Sequence, residues 1–386
     1  MLTETISASG LEDILQKVVE GERLDFSDGV RLYQAEDLNV VGYLANIVRE
    51  QKNGSIAYYI RNQHINYTNI CNKLCKFCSF YVTPRDERGY VLEPEVIRAR
   101  VREFRDYPIR EIHMVGGINP KLPYEYYLDI VRAVRDELPQ AHVKAFTMIE
   151  LAQLERVAKK PLEEVLTDLK TAGLDCCPGG GAEVFSNRVH EELFRAKLDN
   201  EGWFDVARVV HRSGLRSNAT MLYGHIETVE EKVKHLIHIR ELQDETGGFL
   251  CFVPLAFDPQ NTELSHLPPP TGQQNLREIA LARLMLDNFD HVKAFWIMVT
   301  PPVAQVAMWY GADDIDGTVA HYEITHALGA TSHRQALSEA DLLHLIAEAR
   351  RDAVERDAFY NPVVSSEGLP HSDAARDTND VEATAC

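Results

Sequence analysis

No run of apolar residues in this 386-residue chain approaches the ~20 needed to cross a bilayer. Met1 to Gly10 also lack the basic stretch and apolar stretch of a secretory leader. The expected compartment is therefore the cytoplasm, with no membrane partner. Positive charge is in deficit: 40 Lys and Arg face 59 Asp and Glu, a formal net charge of -19. A broad basic face for nucleic acid is excluded on that balance, although a local cluster of cations can still receive a small anion. Cysteine is too sparse for a disulfide framework, with seven residues in the whole chain.

What is present is an ordinary globular composition, 45% hydrophobic and 26% charged, able to build a large core. Residues 1–60 read as a helical N-terminal extension, with Leu11, Ile14, Leu15 and Val18 at helical spacing. From residue 64 short strand-like runs alternate with longer helical ones. The strands are expected at 64–68, 111–115, 142–147, 174–177, 215–221, 248–253, 292–297 and 312–316. Helices are expected at 94–106, 124–138, 151–172, 203–213, 229–246, 275–289, 302–310 and 338–352, with a short one at 189–195. Gly173, Gly214, Gly247 and Gly311 stand just before strands, where a helix-ending glycine belongs. Eight alternations predict an α/β fold, a parallel (β/α) barrel, closed or nearly closed, over residues 61–355. A doubly wound open sheet is the alternative. Residues 356–386, acidic and without apolar periodicity, are expected to form a disordered tail.

Active sites of such barrels lie in the loops after the strands. Cys71, Cys75 and Cys78 fall within one such loop, directly after the first expected strand. Three thiolates on one short loop can hold three corners of a [4Fe–4S] cluster and leave the fourth iron open. Zinc is the competing metal. It asks for four closed ligands, usually as two separated pairs, and no second C-x₂-C pair exists. His64 is a conceivable fourth ligand, but it stands at the beginning of the strand. Three buried thiols that ligate nothing remain the bland alternative.

The spacing C-x₃-C-x₂-C with Phe77 before the last cysteine resembles the radical S-adenosylmethionine superfamily. That resemblance implies that the open iron chelates S-adenosylmethionine and that one electron splits its sulfonium. Gly116 and Gly117 would let the backbone approach the methionine amino group. The acidic residue usual after that pair is replaced by Ile118-Asn119-Pro120. Gly179, Gly180 and Gly181, with Glu183, would meet the cofactor's ribose or amine; a plain turn is the other reading of both glycine stretches.

Further stretches resemble the aminofutalosine synthases of the futalosine route to menaquinone. They are His64 to Cys71, Lys144 to Thr147, Gly179 to Phe185, Thr220 to Glu227, Arg240 to Phe249 and Gly311 to Thr318. The resemblance spans roughly residues 15–355. It implies transfer of the 5′-deoxyadenosyl group onto 3-[(1-carboxyvinyl)oxy]benzoate, with decarboxylation, to give 6-amino-6-deoxyfutalosine. The partners implied are a small anionic aromatic substrate and a flavodoxin- or ferredoxin-like electron donor.

Strand-end candidates for the substrate carboxylates are His113, Thr147, Asn218, Thr220, Tyr223 and His225. Trp296 and Met298 are candidates to pack the ring, with a core role as the other reading. His235 and His238 are expected on an outer helix, away from the site, and Cys251 in the core. Segments 257–275 and 327–337 depart from the family pattern and are expected at the substrate mouth. Two rivals stay open. One is a hydrogen-abstracting relative, the cyclic dehypoxanthine futalosine synthase or the deazaflavin FO synthase. The other is a non-catalytic metal scaffold or electron carrier, which an open iron corner argues against.

Overall fold

The computed structural model describes Ile6, residues 9–320 and residues 336–363. Three helices open the chain: α1 (Glu12–Glu20), α2 (Phe26–Gln34) and α3 (Leu38–Asn53). Gly21 ends α1 in the left-handed region, and Asp25 and Asp28 form a reciprocal capping box at the start of α2. These helices pack on the outer helices of the fold. Gly42 of α3 faces the Tyr310 ring so closely that an added Cβ would lie 2.4 Å from it.

The extension is not helical throughout. Ile56–Ile60 forms strand β1, a correction to the helical reading of residues up to 60. Gly54, at φ 55, stops α3, and the run Ile-Ala-Tyr-Tyr-Ile then offers the branched and aromatic side chains that suit a pleated surface. Arg61 separates β1 from β2 (Asn62–Asn66), which heads a seven-stranded parallel sheet. Its other members, in sheet order, are β3 (Glu111–Val115), β4 (His142–Ala145), β5 (Cys176–Cys177), β6 (Arg216–Tyr223), β7 (Phe249–Ala256) and β8 (His291–Val292). β1 instead pairs with β9 (Asp314–Gly317) and with β10 (Asp352–Glu355), which the sequence reading did not contain.

Residues 313–320 span the gap between the two sheet edges. Lys293 bridges to Asp314 on one side and Gln63 to Ala320 on the other. The barrel is therefore nearly closed, and the open-sheet alternative is set aside.

The crossovers are α4 (Pro94–Arg102), α5 (Tyr124–Glu137), α6 (Met148–Ala158), α7 (Leu162–Ala172), α8 (Asn200–Arg212), α9 (Val229–Thr246), α10 (Gly272–Met285), α11 (Pro301–Ala307) and α12 (Glu339–Glu348). The single helix expected over 151–172 is two, because Lys159 turns left-handed at φ 54 and Pro161 has no N–H to continue the ladder. The strand expected over 292–297 is shortened by a helical turn, Trp296–Val299, whose Trp296 indole donates to Gly317 O at 2.8 Å. All four helix-ending glycines have positive φ. Around 187–194 one short α turn runs into a π turn, His190–Phe194.

Arg356, Ala358 and Tyr360 are buried, so residues 356–363 belong to the folded body and the expected tail cannot begin at 356. Residues 364–386 and most of the 327–337 segment lie outside the described residues.

Candidate active site

Register decides which side chains share the barrel interior. His64 pairs with His113, His113 with Lys144, and Lys144 with Cys176 across four adjacent strands. With a period of two, Asn218, Thr220 and Leu222 of β6 face one way while Tyr223 faces the other. The first three line a cavity of about 340 Å³ inside the barrel mouth.

The same cavity is lined by Cys71, Cys75 and Cys78, by Phe77, Gly116, Gly117, Gly179, Gly180, Gly181 and Glu183, and by His113 and Thr147. Residues scattered over 150 positions of sequence thus meet on one surface. Tyr223 and His225 do not join them. Tyr223 donates its hydroxyl to Asn275 of α10 at 2.8 Å, and His225 folds back onto Leu222 O at 3.0 Å. Of the two ring-packing candidates, Met298 lines the cavity and Trp296 does not. From the 257–275 segment, Phe257 and Asp258 line it.

The cysteine loop is held along its length. Cys71 N–H donates to Val82 O at 3.0 Å, Asn72 N–H to Ile118 O at 3.1 Å, and Lys76 N–H to Leu193 O at 3.0 Å. Leu74 takes φ 50, a left-handed turn between the first two cysteines. All three thiols are free, and burial pushes the Cys75 thiol up to about 12 and the Cys78 thiol above its usual value. Buried thiols of that kind gain from a cationic or metallic partner. Lys197 sits among them, paired with Glu183 and 5.1 Å from the Phe77 ring centroid. Burial works against its charge, but the paired Glu183 carboxylate favours it, and Lys197 is held above its ordinary value. Among the described residues no three His, Cys, Asp or Glu side chains converge on a single ion. A cube held at three separate corners does not ask for that convergence.

The glycines are where backbones approach most closely. A Cβ on Gly117 would lie 2.3 Å from Ile70 O, and one on Gly179 2.2 Å from Asn218 O. Glu150 ties the neighbouring elements together. It accepts from the Tyr67 hydroxyl at 2.6 Å, Gly116 N–H at 3.0 Å and Thr147 N–H at 2.7 Å. The Thr220 hydroxyl is committed to Gly179 O and Ala182 O, both at 3.1 Å. His235, on the outer helix as expected, accepts from Phe185 N–H and pairs with Thr220 O at 2.9 Å. It positions the glycine loop from behind.

Sequence reasoning missed Lys293 and Asp316, which line the cavity floor as an ion pair; His64, read as a strand residue far from the cysteine loop, lines the cavity with them. His64 and His113 stack face to face there, 4.5 Å apart with an interplanar angle of 9°. Burial lowers His64 to about 4 and holds His113 well below its usual value, so both rings are neutral. The only signal for Asp316 was its motif, Gly311 to Thr318. Its neighbours there are structural: Asp313 pairs with Arg283 and His291, and Asp314 with Arg356.

A parallel β/α barrel with three thiols on the first strand-end loop and glycine turns facing them defines the radical S-adenosylmethionine class. The Radical SAM superfamily profile matches residues 65–238, and the CofH/MqnC C-terminal region matches residues 246–365. The chain is 44% identical to the aminodeoxyfutalosine synthase of Thermus thermophilus, over 91% of this chain and 95% of that one. A cyclic dehypoxanthine futalosine synthase of Halalkalibacterium halodurans is 34% identical, over 91% and 94%. Among solved structures, methylornithine synthase shares the fold at a TM-score of 0.71 and 16% identity, over 88% of this chain and 96% of that chain. The chain belongs to the aminodeoxyfutalosine synthase family.

Proposed function

We propose that the chain joins the 5′-deoxyadenosyl group of S-adenosylmethionine to 3-[(1-carboxyvinyl)oxy]benzoate, with decarboxylation, to form 6-amino-6-deoxyfutalosine for menaquinone. The observation that carries this is near full-length similarity at 44% to an aminodeoxyfutalosine synthase, with the cysteine loop and glycine turns on one cavity. The enzyme is a radical S-adenosylmethionine transferase with a [4Fe–4S] cluster and a consumed co-substrate. In this reading Cys71, Cys75 and Cys78 hold the cluster, whose role when bound is to pass one electron to the sulfonium.

Gly116, Gly117, Gly179 to Gly181, Glu183 and Phe77 shape the co-substrate's bed. Leu255, Phe257, Phe295 and Met298 give the aromatic ring an apolar wall that excludes water. Holding the enol-ether carbon against the adenosyl carbon is a positioning effect, not acid–base catalysis. The Thr147 and Asn218 side chains supply polar contacts; Thr220 is occupied with the glycine loop. A flavodoxin- or ferredoxin-like protein in the cytoplasm is the proposed reductant. No described helix is long and apolar enough to cross a membrane.

The cyclase reading, supported by the 34% relative, separates by the fate of the nucleoside. With S-adenosylmethionine labelled in adenosine, the label is expected in a product that also carries the benzoate ring. Label recovered only as free 5′-deoxyadenosine, with this substrate present, transfers the chain to the hydrogen-abstracting relatives.

A further inference from the structure

The cavity has two unlike ends. Its upper end is the cysteine loop, where Lys73 and Lys197 stand. Its floor lies inside the strands, where His64, His113, Asn218, Lys293 and Asp316 form a polar belt beneath the apolar wall. Among the cavity-lining residues Lys293 is the cation of that floor, and it is 5% exposed. Burial opposes its charge, but Asp316 and Asp314 more than restore it.

We propose that Lys293, oriented by Asp316, anchors the aryl carboxylate of the substrate, with Asn218 and His113 as neutral partners. An ammonium has three donors, and Asp316 takes one of those of Lys293, leaving two for a ligand. Asn218 is 5% exposed, and its buried Oδ1 has no hydrogen-bond partner among the described residues. The same carboxamide carries Nδ2, a pair of donors that a carboxylate can accept from. Asp316 itself is offset from behind by Arg356, whose Nη2 lies 3.9 Å away, so an added carboxylate meets a floor without net negative charge. Asp316 also sits at φ 68, a strained backbone for a non-glycine residue lining a cavity.

The choice of carboxylate follows from the chemistry, and here the inference rests on the proposed substrate. The enol-ether carboxylate adjoins the carbon that reacts and is lost. The aryl carboxylate survives unchanged, so it can stay on one anchor from binding to release, at the end away from the cysteine loop.

The test compares acid and amide. The anaerobic oxidised holoenzyme, with S-adenosylmethionine and no reductant, binds its ligand without turnover. Dissociation constants are measured for 3-[(1-carboxyvinyl)oxy]benzoate and for the analogue whose ring carboxylate is a carboxamide. The wild type is expected to prefer the acid by about tenfold or more, the size of a hydrogen-bonded charge contact. The double variant Lys293→Met/Asp316→Asn keeps the buried floor neutral, and its preference should fall to about one. The same comparison with 3-methoxybenzoate and 3-methoxybenzamide does not involve the reacting double bond. It therefore reports on the anchor even if the label experiment rejects the substrate. Equal binding of acid and amide by the wild type, or a preference that survives in the folded double variant, would overturn the assignment.

Discussion

Gly117 and Cys71 show how differently two residues of one site reveal themselves. The cysteines are legible in sequence because three thiols in eight positions have few other uses. Gly117 looks like any glycine of a strand-to-helix turn until the backbone of Ile70 is seen against it. Replacing Gly117 by Ala drives a Cβ to 2.3 Å from Ile70 O, where neither side is a flexible side chain. The expected result is a displaced cysteine loop, with bound iron reduced and stability lowered by about 1–3 kcal/mol. Iron analysis and urea unfolding measure both effects. Cys71→Ala, Cys75→Ala and Cys78→Ala should each abolish turnover and leave a labile or absent cluster. Cys176→Ala and Cys251→Ala, buried on strands where desolvation holds the thiols protonated, should keep the iron. Iron retained in a turning-over triple variant would remove the ligand assignment.

At the scale of elements, the site depends on how strands stop and helices start. Phe146, at φ 63, turns the chain out of β4, and Thr147 then caps α6 in a reciprocal box with Glu150. The box was readable as a T-x-x-E pattern. The extra duty of Glu150 was not, since Tyr67 and Gly116 reach it from other strands. Thr147→Ala should cost about 1 kcal/mol through the lost cap, and Thr147→Ser should restore most of it, as read by thermal unfolding. The β6 alternation explains why Tyr223 was misplaced. A one-residue step along a strand changes face, and the sequence reading took both parities as strand-end candidates.

For the whole molecule, the closing segment matters most. Arg356 is buried against Asp314 at 2.6 Å, and Tyr360 donates to the same carboxylate while stacking on His291. Arg356→Ala would strand a buried carboxylate, and the expected loss of about 3–5 kcal/mol is testable by denaturant unfolding. Stability also depends on pH. Burial lowers His235 to about 3, against 6.5 when unfolded. The unfolded chain takes its proton first, so this contribution is fully present above pH 6.5 and declines as pH falls towards 3. His235→Gln keeps a donor and an acceptor without titrating. Between pH 6.5 and 5 the wild type should lose about 2 kcal/mol more than this variant. Parallel stability curves would show that His235 is protonated in the fold.

The sequence by itself determined the barrel class, the cysteine loop and the glycine turns. Each rests on local pattern: alternating periodicity, tight spacing of one reactive residue type, and helix ends marked by glycine. Only the tertiary structure decided that Ile56–Ile60 leaves the N-terminal helices to pair with β9 and β10. It also decided that residues 356–363 seal the fold, and that Lys293 and Asp316 share a floor with His64. Those outcomes depend on register between strands far apart in the chain. Lysine, aspartate and histidine on half-buried strands look the same whether they turn to the cavity or to the helices.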